Sequence, residues 1–313
     1  MNKNFNTPVL LIAFYRPDTT QKVIDSLREV QPRRLYIAVD GPRKHKSEEK
    51  NKVESVINVT KTIDWECEKK YLIRGENLGC MLGVTGAISW VFENEDRAII
   101  IEDDIIASPS FFLFAEELLE KYTNDERIAM ISANNYTQMN SIENDYIFSN
   151  YGHIWGWATW KRVWNKFDVN LPELSNKPLE KIETIKYLSR KEKKYYLKKF
   201  KRLYDSILNG SINTWDSQFS FFRRYNHLFS IVPKVNLASN IGDVSSRVDN
   251  SFVSKNDDNY YPAEQDFVIK NHPLEVGLNL NYEKYHFKNH IFKHHTYYKR
   301  IKRKIIKLLG ING

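Results

Sequence analysis

The sequence predicts an α/β protein with a doubly wound, mostly parallel sheet, and three observations carry this prediction. Aliphatic segments of strand length alternate with amphipathic helical segments over the first 135 residues. The segment 98–106 opens with an unbroken branched aliphatic run, which is typical of a parallel strand buried on both faces. That run stops at three consecutive acids, Glu102, Asp103 and Asp104, and open α/β sheets bind ligands beyond the carboxyl ends of their strands.

The individual elements of the first half follow from hydrophobic periodicity and turn residues. Strands are predicted at 7–14, at 35–40, at 70–74, from 98 to the acids at 102–104, and at 127–132. Helices are predicted after Asp18, from Ser47, over 79–92 and after Ser108, where Pro109 suits a first helical turn. No Gly-x-Gly-x-x-Gly and no Walker-type Gly-Lys-Ser/Thr motif follows the first strand. A bound diphosphate would therefore be held by a metal ion and side chains.

The second half is aromatic and irregular, as expected for a region that binds an acceptor. Three tryptophans fall within 151–160, and a Lys/Tyr-rich helical stretch follows at 176–210. Another helix is predicted to open near Asp216, and the last strand and its loop lie at 231–242.

Charge is distributed unevenly along the chain. The net charge is +8, yet nine Lys and Arg residues and no acid follow Glu283, so the preceding residues carry a net charge of −1. A folded body without excess basic charge argues against nucleic acid as a partner. Two cysteines exclude a disulfide scaffold. The beginning of the chain lacks an apolar signal core and no apolar run reaches membrane-span length, so we expect a cytoplasmic protein.

The three consecutive acids require a partner of opposite charge. Adjacent carboxylates repel one another, and partial burial raises that cost. The hard cations Mg²⁺ and Mn²⁺ prefer oxygen ligands, commonly one or two carboxylates together with substrate phosphates. A metal–diphosphate site is therefore one interpretation, and a helix-capping cluster in a solvated turn is the other.

Six motifs occur in a characteristic order: Ile12-Ala13-Phe14-Tyr15-Arg16-Pro17, Val39-Asp40-Gly41, Asn77-Leu78-Gly79, Ile101-Glu102-Asp103-Asp104, Trp155-Gly156-Trp157 and Trp215-Asp216. Together they resemble the GT-A nucleotide-sugar glycosyltransferases, in particular the N-acetylglucosaminyltransferase I-like family and its bacterial relatives. The resemblance covers roughly residues 7–242, with Glu-Asp-Asp in place of the commoner Asp-x-Asp.

The resemblance implies a role for each matching residue. It makes Asp104 the direct ligand of Mn²⁺ or Mg²⁺, and Asp216 the general base that accepts a proton from the acceptor hydroxyl. Nucleotide- or donor-binding roles fall on Arg16, Asp40, Asn77, Glu102, Asp103, Gly156, Trp157 and Trp215. Relatives tend to carry a histidine beyond the glycine at 242, where this chain reads Asp243 to Arg247. The contribution of the loop 243–260 therefore stays open.

Structural alternatives exist for several of these residues. Arg16 can be a surface arginine in a loop, and Asp40 can cap the following turn. Asp216 can be the N-terminal cap of a helix. The tryptophan rings can fill a core rather than bind sugar, and for Trp160 and Trp164 the core interpretation is preferred.

The resemblance also implies a function and a division of the chain. It predicts an inverting, metal-dependent hexosyl- or N-acetylhexosaminyltransferase that moves a sugar from a UDP-sugar to a glycan or lipid-linked acceptor in bacterial surface polysaccharide synthesis. Residues 1–135 would bind the nucleotide sugar, 136–283 would complete the same domain with acceptor binding and catalysis, and 284–313 would form a basic amphipathic tail. The alternatives are a sugar nucleotidylyltransferase, whose Gly-x-Gly-Thr-Arg loop is missing here, and a non-enzymatic module that binds membrane surfaces or polyanions.

The end of the chain combines basic and apolar residues at helical spacing. On a helix, residues 297–309 place an aliphatic stripe opposite the cations, as in helices that lie on anionic membranes. We therefore expect peripheral attachment to the inner face of the plasma membrane; a helix docked on the protein itself or a disordered tail are the alternatives. His286, His290 and His294 recur every four residues without acidic neighbours, which predicts a basic surface rather than a metal site.

Overall fold

The computed structural model of the chain describes residues 5–137, 142–174, 178–242 and 262–292. Its strands are β1 (Val9–Ala13), β2 (Arg34–Val39), β3 (Glu68–Ile73), β4 (Arg97–Glu102), β5 (Ile105–Ala107), β6 (Ile128–Ser132), β7 (Tyr146–Ser149), β8 (Trp157–Trp160), β9 (Phe229–Pro233) and β10 (Ala238–Asn240). Its α-helices are α1 (Pro17–Val30), α2 (Ser47–Thr60), α3 (Gly79–Phe92), α4 (Pro109–Lys121), α5 (Lys161–Trp164), α6 (Pro178–Thr184), α7 (Arg190–Leu208), α8 (Asp216–Tyr225) and α9 (Leu280–His286).

Eight of the strands form one twisted sheet in the order β3-β2-β1-β4-β8-β6-β9-β7. The strands β3, β2, β1 and β4 are mutually parallel, and β8 runs antiparallel between β4 and β6. The pair β6–β9 is parallel, while β7 is antiparallel to β9. The predicted α/β class with a doubly wound, mostly parallel sheet is therefore confirmed.

The aliphatic strands lie at the centre because helices pack against the sheet. Every residue of β1 is buried, and only the two ends of β4 are partly exposed. Helix α1 contacts α2 and α4, whereas α3 contacts β1, β4 and α5. Continuous branched aliphatic runs suit such strands, since neither strand face meets water.

The strand that opens the segment 98–106 ends at the acids, as predicted, and a second short strand follows them. The ladder between β1 and β4 ends where Ile12 lies opposite Glu102, and Asp103 and Asp104 form a turn. The chain then enters β5, which pairs with β10 in a separate antiparallel ribbon. The acids leave the sheet because a carboxylate side chain has no favourable place inside an apolar strand.

The C-terminal described residues pack against the second half of the sheet. Asn279 caps α9 by accepting a hydrogen bond from the Tyr282 backbone N–H (2.9 Å), and a π-helical turn, Phe287–Phe292, follows the helix. His286 is fully buried, so the predicted basic surface is wrong for this histidine. No helix among the described residues is both long and apolar enough to cross a membrane. The loop 243–260 and the predicted amphipathic segment 297–309 lie outside the described residues.

Candidate active site

The sheet brings the predicted binding residues of the first half to one edge. In β1, Ala13 lies opposite Val39, and its carbonyl accepts a hydrogen bond from the Asp40 N–H (3.0 Å). Because β1 to β4 are parallel, the segments after these strands meet beyond their carboxyl ends. The residues brought there are Arg16, Asp40, Asn77, Glu102, Asp103 and Asp104. Between β1 and β4 the strand order reverses, which is the usual ligand position of such sheets.

Arg16 joins two of the three acids. Its Nη1 donates to Asp104 Oδ2 (2.8 Å), and its Nη2 donates to Asp103 Oδ1. The Phe14 backbone N–H donates to the other oxygen of Asp103 (3.1 Å). Arg16 directly precedes α1, so the helix start fixes its position beside the acids. It is thus an ion-paired residue of the crevice rather than a surface arginine in a loop.

The acid cluster carries more negative charge than Arg16 neutralises. Burial raises the pKa of Glu102 to about 8, and the charges of Asp104 and Asp103 add to this effect. Burial also raises the pKa of Asp103 to about 6, although Arg16 opposes the shift. Buried carboxyl groups with raised pKa values gain from a nearby cation, because a cation favours their charged form.

The donor atoms of the cluster suit a hard divalent cation. Asp103 and Asp104 are buried and offer oxygen ligands. The three carboxylates do not converge into a three-ligand group in the described residues. Mg²⁺ needs only one or two carboxylates when substrate phosphates complete its coordination. Asp104, with Glu102 or Asp103 in support, therefore fits the predicted Mn²⁺ or Mg²⁺.

A glycine allows the β10 segment to close over Asp104. The Ile241 N–H donates to the Asp104 carbonyl (2.8 Å), which fixes the chain beside this acid. A Cβ atom on Gly242 would lie 2.4 Å from Asp104 Oδ2. A side chain at this position would force the Asp104 carboxylate to move, and the residue pattern alone assigns Gly242 no role in binding.

Asp40 and Asn77 form a second polar group at the same edge. Asp40 accepts hydrogen bonds from Asn77 Nδ2 (2.9 Å) and from the Leu78 N–H (3.2 Å), just before α3. Arg74 lies 4.0 Å from Asp40, and burial raises the pKa of this carboxyl group. Through these hydrogen bonds, Asp40 stabilises the start of α3. Arg74 was missed, although its place after the third strand follows the rule that identified the acids.

The predicted donor-binding residues of the second half lie in an aromatic core. Trp157 is fully buried and Trp215 is 2% exposed, and their rings stack at 5.6 Å. Gly156 has a φ of +77°, and its carbonyl accepts a hydrogen bond from the Ala133 N–H (2.9 Å). Trp155 is the half-buried tryptophan of this segment. The donor-binding role of Gly156, Trp157 and Trp215 stays a prediction, and neither buried ring offers an open face in this structure.

Asp216 is the exposed first residue of α8 and lies near the acid cluster. Its charge is among the smaller influences that raise the pKa of Glu102, which burial dominates. It also opposes the burial that lowers the pKa of Lys199, a half-buried residue of α7. The charge of Asp216 is thus felt both by an acid of the cluster and by a lysine of α7. The Lys/Tyr-rich helical stretch was predicted from the sequence, but Lys199 was not singled out within it.

Comparison with known proteins gives a result only for solved structures. No protein-family model and no curated protein matches the chain. The chain is similar to UDP-glucose pyrophosphorylase complexed with UDP-glucose, with 9% identity, 77% of this chain and 94% of that chain covered, and a TM-score of 0.37. It is also similar to a cytidylyltransferase from Leptospira borgpetersenii serovar Hardjo-bovis, with 11% identity, 66% of this chain and 73% of that chain covered, and a TM-score of 0.32. A third match is 4-diphosphocytidyl-2C-methyl-D-erythritol synthase from Anaerococcus prevotii, with 10% identity, 74% of this chain and 89% of that chain covered, and a TM-score of 0.36.

These matches require a correction of the predicted function. The expectation of an inverting glycosyltransferase is wrong by this comparison, since a pyrophosphorylase and a cytidylyltransferase belong to another reaction class. No match to the N-acetylglucosaminyltransferase I-like family supports the resemblance. The coarser part of the resemblance remains, namely an α/β fold with a mostly parallel sheet.

Proposed function

We propose that this crevice binds a nucleotide sugar with a divalent cation, and that the chain transfers a nucleotidyl group to a sugar 1-phosphate. The observation that carries this proposal is the contact of Arg16 with both Asp103 and Asp104 at the reversal of strand order. A guanidinium group that can bind an anion thus lies beside carboxylates that can bind a cation. A ligand with a charged diphosphate and a bound metal ion requires both.

Each part of such a ligand has a chemically suited side chain. Asp104 and its acidic neighbours would hold Mg²⁺ or Mn²⁺, which offsets phosphate charge when bound. Arg16 donates from both terminal nitrogens to the acids and would offer its remaining N–H groups to phosphate oxygens, and Lys199 would add a second cation on the side of Asp216. Tyr15, whose ring lies 4.6 Å from that of Phe14, offers an aromatic surface to a base.

The proposed reaction needs no general base. A phosphate oxygen of the sugar 1-phosphate attacks the α-phosphorus of a nucleoside triphosphate, and the bond to the bridging oxygen breaks. Pyrophosphate leaves with that electron pair, and a nucleotide sugar forms. The nucleophile is already anionic, so positioning and charge stabilisation carry the rate.

The phosphate-binding segment would differ from that of other nucleotidylyltransferases. The chain lacks their Gly-x-Gly-Thr-Arg loop, and Phe14-Tyr15-Arg16-Pro17 stands after β1 instead. Arg16 therefore takes over phosphate binding in this proposal, because a guanidinium matches the geometry of phosphate oxygens.

The reaction is tested by pyrophosphate release. The full chain is incubated with Mg²⁺ or Mn²⁺, each nucleoside triphosphate and a panel of sugar 1-phosphates. We expect release for at least one pair, a rate about a hundredfold lower in Asp104→Asn, and no change in Asp64→Asn. Asp64 is a matched control because it is an exposed acid that pairs with Arg28. Absence of pyrophosphate with every pair would refute nucleotidyl transfer.

We also propose that residues 297–309 hold the enzyme at the cytoplasmic face of an anionic membrane. The support is the sequence alone, which combines basic residues with an aliphatic stripe at helical spacing. Each Lys or Arg near such a surface contributes about 1 kcal/mol to binding.

A further inference from the structure

Three histidines from two separate parts of the chain meet away from the acid cluster. His153 lies in the segment between β7 and β8, while His286 ends α9 and His290 lies in the π-helical turn. One ring nitrogen of each lies within 4.8 Å of the other two. Their ring centroids are 4.9 to 5.3 Å apart. Among the described residues, no other three His, Cys, Asp or Glu side chains bring their possible ligand atoms this close together.

The buried histidine nitrogens lack the partners that burial normally demands. His286 is fully buried, and neither of its ring nitrogens has a hydrogen-bond partner in the described part of the chain. His153 Nε2 is likewise buried and unpaired there. An unsatisfied buried polar atom costs about 1–3 kcal/mol, so three such atoms in one place indicate a bound group.

The surroundings of His153 and His286 disfavour the charged form of their imidazoles. Burial lowers the pKa of both His153 and His286 well below its usual value, and neighbouring cations add to the effect. The charged groups around the cluster are Lys199, Arg223, Arg224, Glu192 and Glu283. The two arginines are balanced by the two glutamates, of which Glu192 lies 3.4 Å from Arg224. A neutral imidazole keeps the lone pair that a metal ligand requires.

We propose that His153, His286 and His290 form a Zn²⁺ site, distinct from the acid cluster and independent of the proposed function. Imidazole nitrogen suits Zn²⁺, and three histidines with one open position are an established tetrahedral set. Tetrahedral Zn–N bonds of about 2.1 Å need nitrogens about 3.4 Å apart, which small side-chain rotations supply. A water or an anion completes the coordination.

The position of the site implies a structural role. The His153 carbonyl accepts a hydrogen bond from Ser132 Oγ (2.9 Å), so this ligand is anchored at the end of β6. Glu283, one turn before His286, accepts hydrogen bonds from the Asn150 N–H (3.0 Å) and Nδ2 (2.9 Å). A metal ion bound here would join α9 and the π-helical turn to the segment that follows β7.

The site is tested with metal-stripped full-length protein. Calorimetry with Zn²⁺ should give one tight site per chain, and Co²⁺ should give the visible bands of tetrahedral coordination. Zn²⁺ should raise the thermal midpoint by about 5 °C. His290→Ala should weaken Zn²⁺ binding about a hundredfold and abolish the Co²⁺ bands. This half-buried residue is the preferred variant, since truncation of fully buried His286 endangers folding.

Two controls separate this site from other metal sites. His45→Ala removes an exposed histidine before α2 and should leave Zn²⁺ binding unchanged. Asp104→Ala should also retain Zn²⁺ binding while it loses cation-dependent nucleotide binding, so the two proposals fail separately. Unaltered Zn²⁺ affinity in His290→Ala, or no Co²⁺ bands in the wild-type chain, would show that the histidines only pack against one another.

Discussion

Arg16 is the residue on which the acid cluster depends in the absence of a ligand. It contacts Asp103 and Asp104, whose carboxylates would otherwise repel one another inside the protein. We predict that Arg16→Ala lowers the free energy of unfolding by about 3 kcal/mol at neutral pH, because it leaves buried acids unpaired. Urea denaturation measures this loss.

Arg28→Ala is the matched control for that variant. Arg28 also pairs with two acids, Asp25 and Asp64, but at an exposed position. Exposed ion pairs contribute less than about 1 kcal/mol. Equal losses of unfolding free energy in the two variants would contradict the prediction that Arg16 stabilises the buried acids.

Gly242 tests how closely the β10 segment must approach the cation ligand. A Cβ atom here would displace Asp104 Oδ2, only 2.4 Å away. We predict that Gly242→Ala weakens Mn²⁺-dependent nucleotide binding about tenfold or more. Gly277→Ala should not alter this affinity, since a Cβ atom at Gly277 meets nothing within 4 Å. Calorimetry measures the Mn²⁺-dependent nucleotide affinity of both variants. Equal affinities would show that Gly242 is not part of the site.

At the scale of elements, the loops after β2 and β3 must fit closely to hold Asp40 and Asn77. A Cβ atom on Gly41 would lie 2.4 Å from the Glu76 backbone nitrogen. We predict that Gly41→Ala lowers the free energy of unfolding by about 2 kcal/mol, because two backbones must separate. Gly75→Ala in the loop after β3 meets nothing within 4 Å and should change stability by less than about 0.5 kcal/mol. Denaturant titration compares the two variants, and equal effects would contradict the close fit.

The elements also show which parts of the fold sequence reasoning can predict. Helix α3 begins and ends at the predicted residues 79 and 92, because glycine and hydrophobic spacing mark its extent. The end of β4 at the acids was predicted, whereas the separate short strand β5 beyond them was not. Strand pairing across the chain, such as β5 with β10, depends on contacts that local periodicity does not contain.

At the scale of the whole molecule, the residue pattern singled out the groups at the end of β4 and missed groups that packing brings together elsewhere. The acids were predicted because carboxylates at the end of a buried strand are costly without a function, whereas Arg16 was predicted from the family resemblance. Lys199 and the histidine cluster were missed because their partners are distant in sequence. The spacing of His286 and His290 indicated a basic surface, whereas packing buries His286 beside His153.

The proposed membrane attachment concerns the whole chain, and truncation tests it. We predict that removal of residues 297–313 abolishes co-sedimentation with vesicles that contain phosphatidylserine, because those residues carry six of the basic side chains after Glu283. Nucleotide affinity should be unchanged. Vesicles of phosphatidylcholine alone serve as the control. Equal sedimentation of the full and truncated chains would show that the tail is not the anchor.

The central claim is that the acids at the end of β4 bind a nucleotide sugar through a divalent cation. Calorimetric titration of the full chain with UDP-glucose, with Mn²⁺ or with a chelator, tests it most directly. We predict binding that requires Mn²⁺ and that weakens about a hundredfold in Asp104→Asn. Equal affinity in the presence of chelator, or an unchanged affinity in Asp104→Asn, would contradict the claim.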